Sequence, residues 1–194
     1  MTQGAYSYER DVWEISEEEF KQLFINSRYE QMKALLSILY YTGARYNEAR
    51  TLKMSNVLIE DDYITFFIKN AKRKDNTRRA IKLPRKLKYL DYFEKYYKNR
   101  ELRIVADNAS TNLFEFNYWK GINELRRTCK HADLKLSFHA FRKSVGTKIA
   151  ERGHSAYQIQ NWLGHKTPAT AFYYIQNSTR VTRDITEGFK EDIK

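Results

Sequence analysis

Four short patterns in this chain set chemically capable side chains at telling intervals. His139-Ala140-Phe141-Arg142, Leu163-Gly164-His165 and Tyr173-Tyr174 fall in one C-terminal stretch, and Thr42-Gly43-Ala44-Arg45-Tyr46-Asn47-Glu48 lies far upstream. Together they offer two arginines, two histidines and a tyrosine, groups able to attack a phosphodiester without a metal. Such a reaction needs a nucleophile at phosphorus, positive charge on the non-bridging oxygens, and a proton for the departing sugar oxygen. Guanidinium groups suit the second task because they stay charged and present a planar fork of donors. A histidine or lysine transfers protons near neutral pH, and a tyrosine can hold the phosphoryl group covalently. Each residue alone has an ordinary explanation as a surface or packing side chain. The joint spacing is what singles them out.

The elements that must carry these residues are legible from pattern. Ser16 with Glu19 three residues later reads as a capping box, and Glu17-Glu18-Glu19 suits the positive end of a helix dipole. Tyr29 to Thr42 carries Met32, Leu35, Leu36, Ile38 and Leu39 at helical spacing and should stop near Gly43. A second helix is expected from Arg45 to Leu52, which puts Arg45 at a helix opening where backbone donors favour an anion. Tyr63-Ile64-Thr65-Phe66-Phe67-Ile68 and Arg78-Arg79-Ala80-Ile81-Lys82-Leu83 read as two strands of a β-hairpin, with Lys72, Arg73 and Lys74 at its tip. Further helices are expected over Leu87 to Asn99, Asn117 to Lys130, His139 to Arg152, Ala156 to Leu163, and Pro168 to Ile175. His139 and Arg142, three apart on one of them, share a face. Trp119 and Trp162 are expected to serve packing. The reading is one mainly α domain with a small antiparallel β-sheet, an α+β fold.

Composition narrows the class of partner. A chain of 194 residues that is 42% hydrophobic and 15% aromatic has enough apolar surface for one real core. Its 35 Lys and Arg against 24 acidic residues leave a formal charge of +11. A field of that sign gathers polyanions, and nucleic acid is the commonest of them. From charge alone, a merely solvated basic surface is the alternative. The charge is clustered, however, over 69–79, 82–88 and 126–135, and Lys69, Arg73, Arg78, Arg79 and Lys143 are expected to contact DNA phosphates. No stretch is apolar enough for a membrane span, and the single Cys129 fits a reducing, cytoplasmic setting.

With these residues in place, the chain resembles the catalytic domain of the tyrosine recombinase (phage integrase) family. The resemblance rests on Thr42-Gly43-Ala44-Arg45 with Glu48 and Leu52, His139-x-x-Arg142, Leu163-Gly164-His165, and a tyrosine nine residues after that histidine. It spans nearly the whole chain. What it implies is the tyrosine recombinase catalytic-domain fold and site-specific breaking and rejoining of double-stranded DNA. A 3′-phosphotyrosine intermediate forms and a 5′-hydroxyl leaves, with neither metal nor other cofactor, in a homotetramer on two DNA sites. By position, Arg45 and Arg142 would clamp the scissile phosphate and His139 would manage the tyrosine proton. His165 would hydrogen-bond a non-bridging oxygen, and Glu48 would buttress Arg45. The family's hairpin lysine, which protonates the leaving oxygen, is best matched by Lys72, counted from the first strand, with Lys74 as the alternative when counted back from the second. The family interval selects Tyr174 over Tyr173 as nucleophile. Neighbouring helical residues point about 100° apart, so only one of the two can face a phosphate.

The resemblance also divides the chain, with residues 1–14 as an N-terminal arm and 15–178 as the catalytic domain. Residues 179–194 form a polar tail whose few apolar anchors, Val181, Ile185 and Phe189, would pack on a neighbouring protomer. Family members usually carry a separate helical DNA-gripping domain ahead of this one. The chain therefore reads as a domain cut from a longer enzyme or as a short member of the family. Asn56 stands where an aspartate is common, a tolerable surface change. Two other readings use the same residues: a type IB topoisomerase-like enzyme that relaxes DNA, and a DNA-binding regulator without turnover.

Overall fold

The structure, a computed structural model, describes residues 14–70, 77–104, 111–176 and 178. The first helix, α1 (Glu17–Asn26), starts at the capping box expected for it: Glu19 N–H donates to Ser16 Oγ at 3.1 Å and Ser16 N–H to Glu19 Oε2 at 3.0 Å. Two orphan amides are satisfied this way, so the helix begins sharply. Helix α2 (Glu30–Thr42) is buried along most of its length through Met32, Leu35, Leu36, Ile38 and Leu39. It ends at Gly43, whose backbone is left-handed at φ 61°, a conformation cheap only for glycine. A Cβ at this position would also lie 2.7 Å from Leu163 Cδ2. The turn after α2 is thus held against the later helices.

Helix α3 (Tyr46–Arg50) follows at once, then a 3-10 turn at Met54–Asn56. The sheet has three antiparallel strands in the order β1 (Val57–Ile59), β2 (Tyr63–Lys69), β3 (Arg78–Pro84). The sequence reading anticipated the β2–β3 hairpin and lacked β1. Three residues are too few for a period-2 pattern to show, and β1 exists because Val57 pairs with Phe66 and Ile59 with Ile64. In β3, Arg79, Ile81 and Leu83 face inward while Arg78, Ala80, Lys82 and Pro84 face out.

Helix α4 (Leu90–Arg103) packs on α2. It begins three residues later than expected, because Tyr89 sits at φ 73° and the chain turns over residues 85–88 before it. Three more helices of the C-terminal half, α5 (Tyr118–His131), α6 (Phe138–Glu151) and α7 (Ala156–Leu163), fall within a residue or so of their expected bounds, as does the last, α8 (Ala169–Gln176). One core gathers α1, α2, α4, the sheet and the start of α6. A smaller one of Val145, Ala150, Ala156, Ile159, Leu163, Ala171 and Tyr174 joins α6, α7 and α8. Trp162 packs against both cores as expected, whereas Trp119 is 65% exposed in the first turn of α5. Trp119 is therefore a surface side chain and not part of the packing. Among the described residues no helix is long and apolar enough to cross a membrane.

Candidate active site

The site is built around one buried carboxylate. Arg45 is the N-cap of α3 and not its first helical residue, with extended backbone at φ −66° and ψ 145°. Glu48, three residues on, accepts the Arg45 backbone N–H at Oε2 (3.0 Å) and Arg45 Nη1 at Oε1 (2.7 Å). Arg79 reaches in from β3 and donates Nη2 to the same Oε2 at 2.8 Å. The Glu48 side chain is fully buried. Burial pushes its carboxyl pKa up, but the Arg79 charge and the hydrogen bonds from Arg79 and Arg45 outweigh that and hold it below the usual value. An ionised carboxylate here is tenable only because two guanidiniums satisfy it.

Arg142, on α6, is 2% exposed and is aimed by two backbone carbonyls. Its Nη1 donates to Gly43 O at 3.0 Å and its Nη2 to Leu163 O at 2.6 Å. The helix ends of α2 and α7 therefore set the plane of this guanidinium, which is why their left-handed caps matter. Burial, reinforced by the neighbouring Arg45 charge, lowers its pKa to about 10, so it remains a cation at neutral pH.

Helix α7 ends at Gly164, φ 66° and ψ 45°, and the next residue is His165. A Cβ on Gly164 would lie 2.3 Å from Asn70 Oδ1 and 2.6 Å from Arg79 Nη1, so glycine is required for space as well as for φ. His165 is 6% exposed, and its Nδ1 is buried without a hydrogen-bond partner among the described residues. Burial first, then the charges of Arg142, Arg45 and Arg79, lowers its pKa to about 4. The imidazole is therefore neutral at pH 7. Its ring stacks on Tyr174 with centroids 6.1 Å apart and planes within 5°.

Tyr174 is 6% exposed on α8 and rests on Gly146, where an added Cβ would meet its ring at 2.6 Å. Burial raises its pKa, while Arg142 and then Arg45 pull it back down. Tyr173, by contrast, is 42% exposed, its ring at 75° to that of Tyr174. The chain thus brings Arg45, Glu48, Arg142, His165 and Tyr174 into one electrostatically coupled cluster. His139 lies one turn before Arg142 on α6 and is exposed. Lys69 and Arg78 are an exposed cross-strand pair at the base of the hairpin, and Lys143 is half-buried. Lys72, Arg73 and Lys74 lie outside the described residues.

One residue is placed differently from its expectation. The sequence pattern places Arg79 among the surface phosphate contacts, but its side chain is only 7% exposed. Its three donor positions go to Glu48, Asn70 Oδ1 (2.5 Å, from Nη1) and Trp162 O (3.0 Å, from Nε). The cause is strand alternation: Arg79 has the same parity as Ile81 and Leu83, so it must point to the core face. That signal was present in the sequence. Asn70 and the Trp162 carbonyl had no comparable signal, because neither is marked by periodicity or by residue type.

A surplus of guanidinium charge over one carboxylate, beside a neutral histidine and a buried tyrosine, can hold an anion next to a phenolic hydroxyl. Among the described residues there is no group of three or more His, Cys, Asp or Glu suited to a metal. The chain belongs to the phage integrase family, whose pattern it matches over residues 14–180. It is 26% identical over 168 residues to the tyrosine recombinase XerD of Oceanobacillus iheyensis, covering 81% of this chain and 54% of that protein. The chain thus spans about half the length of that curated relative. Among solved structures, XerA recombinase superposes with a TM-score of 0.68 at 25% identity, covering 93% of this chain and 65% of the other. The XerH site-specific recombinase, bound to its difH substrate before cleavage, superposes at 0.67 and 22% identity, covering 86% of this chain and 51% of the other. The mainly helical fold with its small antiparallel sheet is the fold of these recombinases.

Proposed function

We propose that this chain is the catalytic part of a site-specific DNA recombinase that cuts and rejoins double-stranded DNA through Tyr174. The observation that carries the reading is the stacking of buried Tyr174 on His165 within the field of Arg142 and Arg45. The tyrosine oxygen attacks phosphorus, the bond to the 5′ oxygen breaks, and the protein is left joined to the 3′ phosphate. Attack adds negative charge to the non-bridging oxygens, and cations already held in place by Glu48, Gly43 O and Leu163 O need no reorganisation to meet it. His139 takes the tyrosine proton, His165 hydrogen-bonds a non-bridging oxygen, and a hairpin lysine, Lys72 or Lys74, gives a proton to the leaving oxygen. Attack by a 5′-hydroxyl reverses every step, so rejoining needs neither metal nor nucleotide.

The surface agrees with such a partner. Lys69 and Arg78 sit directly opposite each other across β2 and β3, an arrangement unfavourable in itself and relieved when a phosphate lies between them. Arg73 and Lys143 are further candidates for phosphate contacts on the strength of their charge. The relative crystallised on its DNA site supports duplex DNA as the substrate. The working form is a homotetramer spanning two sites in the cytoplasm, with no membrane partner.

The test is covalent capture on nicked duplexes selected from a randomised pool, run on a denaturing gel. A protein–DNA adduct is expected with the wild type, none with Tyr174→Phe, and at least about a hundredfold less with Arg45→Ala or Arg142→Ala. An adduct that survives Tyr174→Phe and disappears in Tyr173→Phe overturns the nucleophile. Salt-sensitive binding with no adduct on any duplex makes the chain a regulator, and relaxation of plasmids without any preferred site makes it topoisomerase-like.

A further inference from the structure

Among the described residues, Arg79 is a buried cation bonded to this cluster that has no role in the chemistry proposed above. Its guanidinium is the meeting point of three segments that must agree in position. Through Nη2 it holds Glu48, which in turn holds both the backbone and the side chain of Arg45. Through Nε it holds Trp162 O, two residues before the Gly164-His165 turn, and Nη1 lies where a Cβ on Gly164 would have to go. Through Nη1 it also holds Asn70 Oδ1. Asn70 closes the base of the β2–β3 hairpin, its N–H bonding Thr77 O at 3.0 Å and its Nδ2 bonding Thr77 Oγ1 at 3.2 Å.

We propose that Arg79 is a positioning residue for DNA cleavage, a buried fork that sets Arg45, the His165 turn and the base of the lysine-bearing hairpin in one register. This rests on the recombinase reading above. A guanidinium suits the task because its planar donors point along three fixed directions, whereas an ammonium is a single point charge. Each of its three nitrogens already donates to a protein acceptor, Glu48, Asn70 or Trp162 O, which commits the plane of the guanidinium to these partners and not to a phosphate. Its partners sit on α3, on α7 and at Asn70 just past the end of β2, so Arg79 ties together segments far apart in sequence. Misplacing catalytic groups by about 1 Å lowers rates by about a hundredfold.

The experiment compares wild type, Arg79→Gln, Arg79→Lys and Asn70→Ala by single-turnover adduct formation on a nicked duplex at saturating DNA, with the DNA Kd measured in parallel. Arg79→Gln is expected to lower the saturated cleavage rate about a hundredfold while Kd changes less than about threefold, because the surface contacts are untouched. Arg79→Lys, which keeps the charge beside Glu48 and loses the fork, should recover only part of the rate. Asn70→Ala, which removes one of the three acceptors, should show a smaller loss in the same direction. The proposal is overturned if folded Arg79→Gln cleaves at the wild-type rate. It is equally overturned if the defect lies in Kd and vanishes at saturation, since Arg79 would then be a phosphate ligand. Should Arg79→Gln not fold, wild-type rates in both Arg79→Lys and Asn70→Ala overturn it. Absence of any adduct with the wild type refutes the recombinase reading, a result separate from all of these.

Discussion

Protonation of His165 should destabilise the folded chain by a measurable amount. Its pKa is lowered from 6.5 to about 4 by burial and by three neighbouring guanidiniums. Because the native value lies below the unfolded one, the unfolded chain takes up the proton first as pH falls. The contribution of neutral His165 is therefore present in full above pH 6.5 and is lost as pH drops towards 4. At about 1.4 kcal/mol per unit the whole effect is roughly 3.5 kcal/mol, of which about 2 kcal/mol falls between about pH 7 and pH 5. Urea unfolding of wild type and His165→Gln at those two pH values measures it. Carboxylates that titrate in the same range are common to both proteins and cancel in the difference. The stability of wild type relative to His165→Gln should fall by about 2 kcal/mol on going to the lower pH. A difference that stays constant to within about 0.5 kcal/mol would refute the claim that His165 is buried among cations. Bound phosphate adds the missing negative charge, so the wild type should also gain DNA affinity relative to the variant as pH falls.

Other consequences are open to simpler assays. Gly164→Ala should destabilise the chain by about 2 kcal/mol, from backbone strain at positive φ together with displacement of Asn70 and Arg79, and cleavage should fall with it; unchanged melting and cleavage would contradict the close packing of that turn. Phe66, fully buried on β2 and set edge-on to Phe93 with ring centroids 5.0 Å apart, anchors the sheet to α4. Phe66→Ala should cost about 3–5 kcal/mol and lower Tm by roughly 10 °C. Lys69→Ala and Arg78→Ala should each reduce the slope of log Kd against log salt by about 1 if each neutralises a phosphate. An unaltered slope would take that pair off the DNA-facing surface.

Much of the fold was legible because its signals are local. The Ser16–Glu19 box, the apolar stripe of α2 and the glycine that stops it each depend on a few adjacent residues. The hairpin was equally plain from its two runs of branched and aromatic side chains. Strand β1 was not, since three residues acquire strand geometry only by pairing with β2. The start of α4 differs from the sequence pattern because Tyr89 adopts a left-handed backbone that no residue-type preference suggests. Trp119 departs from the pattern for the opposite reason: an aromatic residue in a helix suggests packing, yet its position on α5 faces solvent.

For the site, the amino-acid order determined which groups are available and in what spacing: two arginines, two histidines and adjacent tyrosines on a basic chain, enough to mark the family. Tertiary structure decided how those groups meet. It set Tyr174 on Gly146 and against His165 while leaving Tyr173 exposed, a choice that two neighbouring helical positions cannot make without the surfaces they pack against. It also turned Arg79 inward to Glu48, converting an expected surface contact into the buried link between strand, helix and turn. Periodicity names the face on which a residue lies. Only folding brings to that face the carboxylate and carbonyls that a buried guanidinium requires.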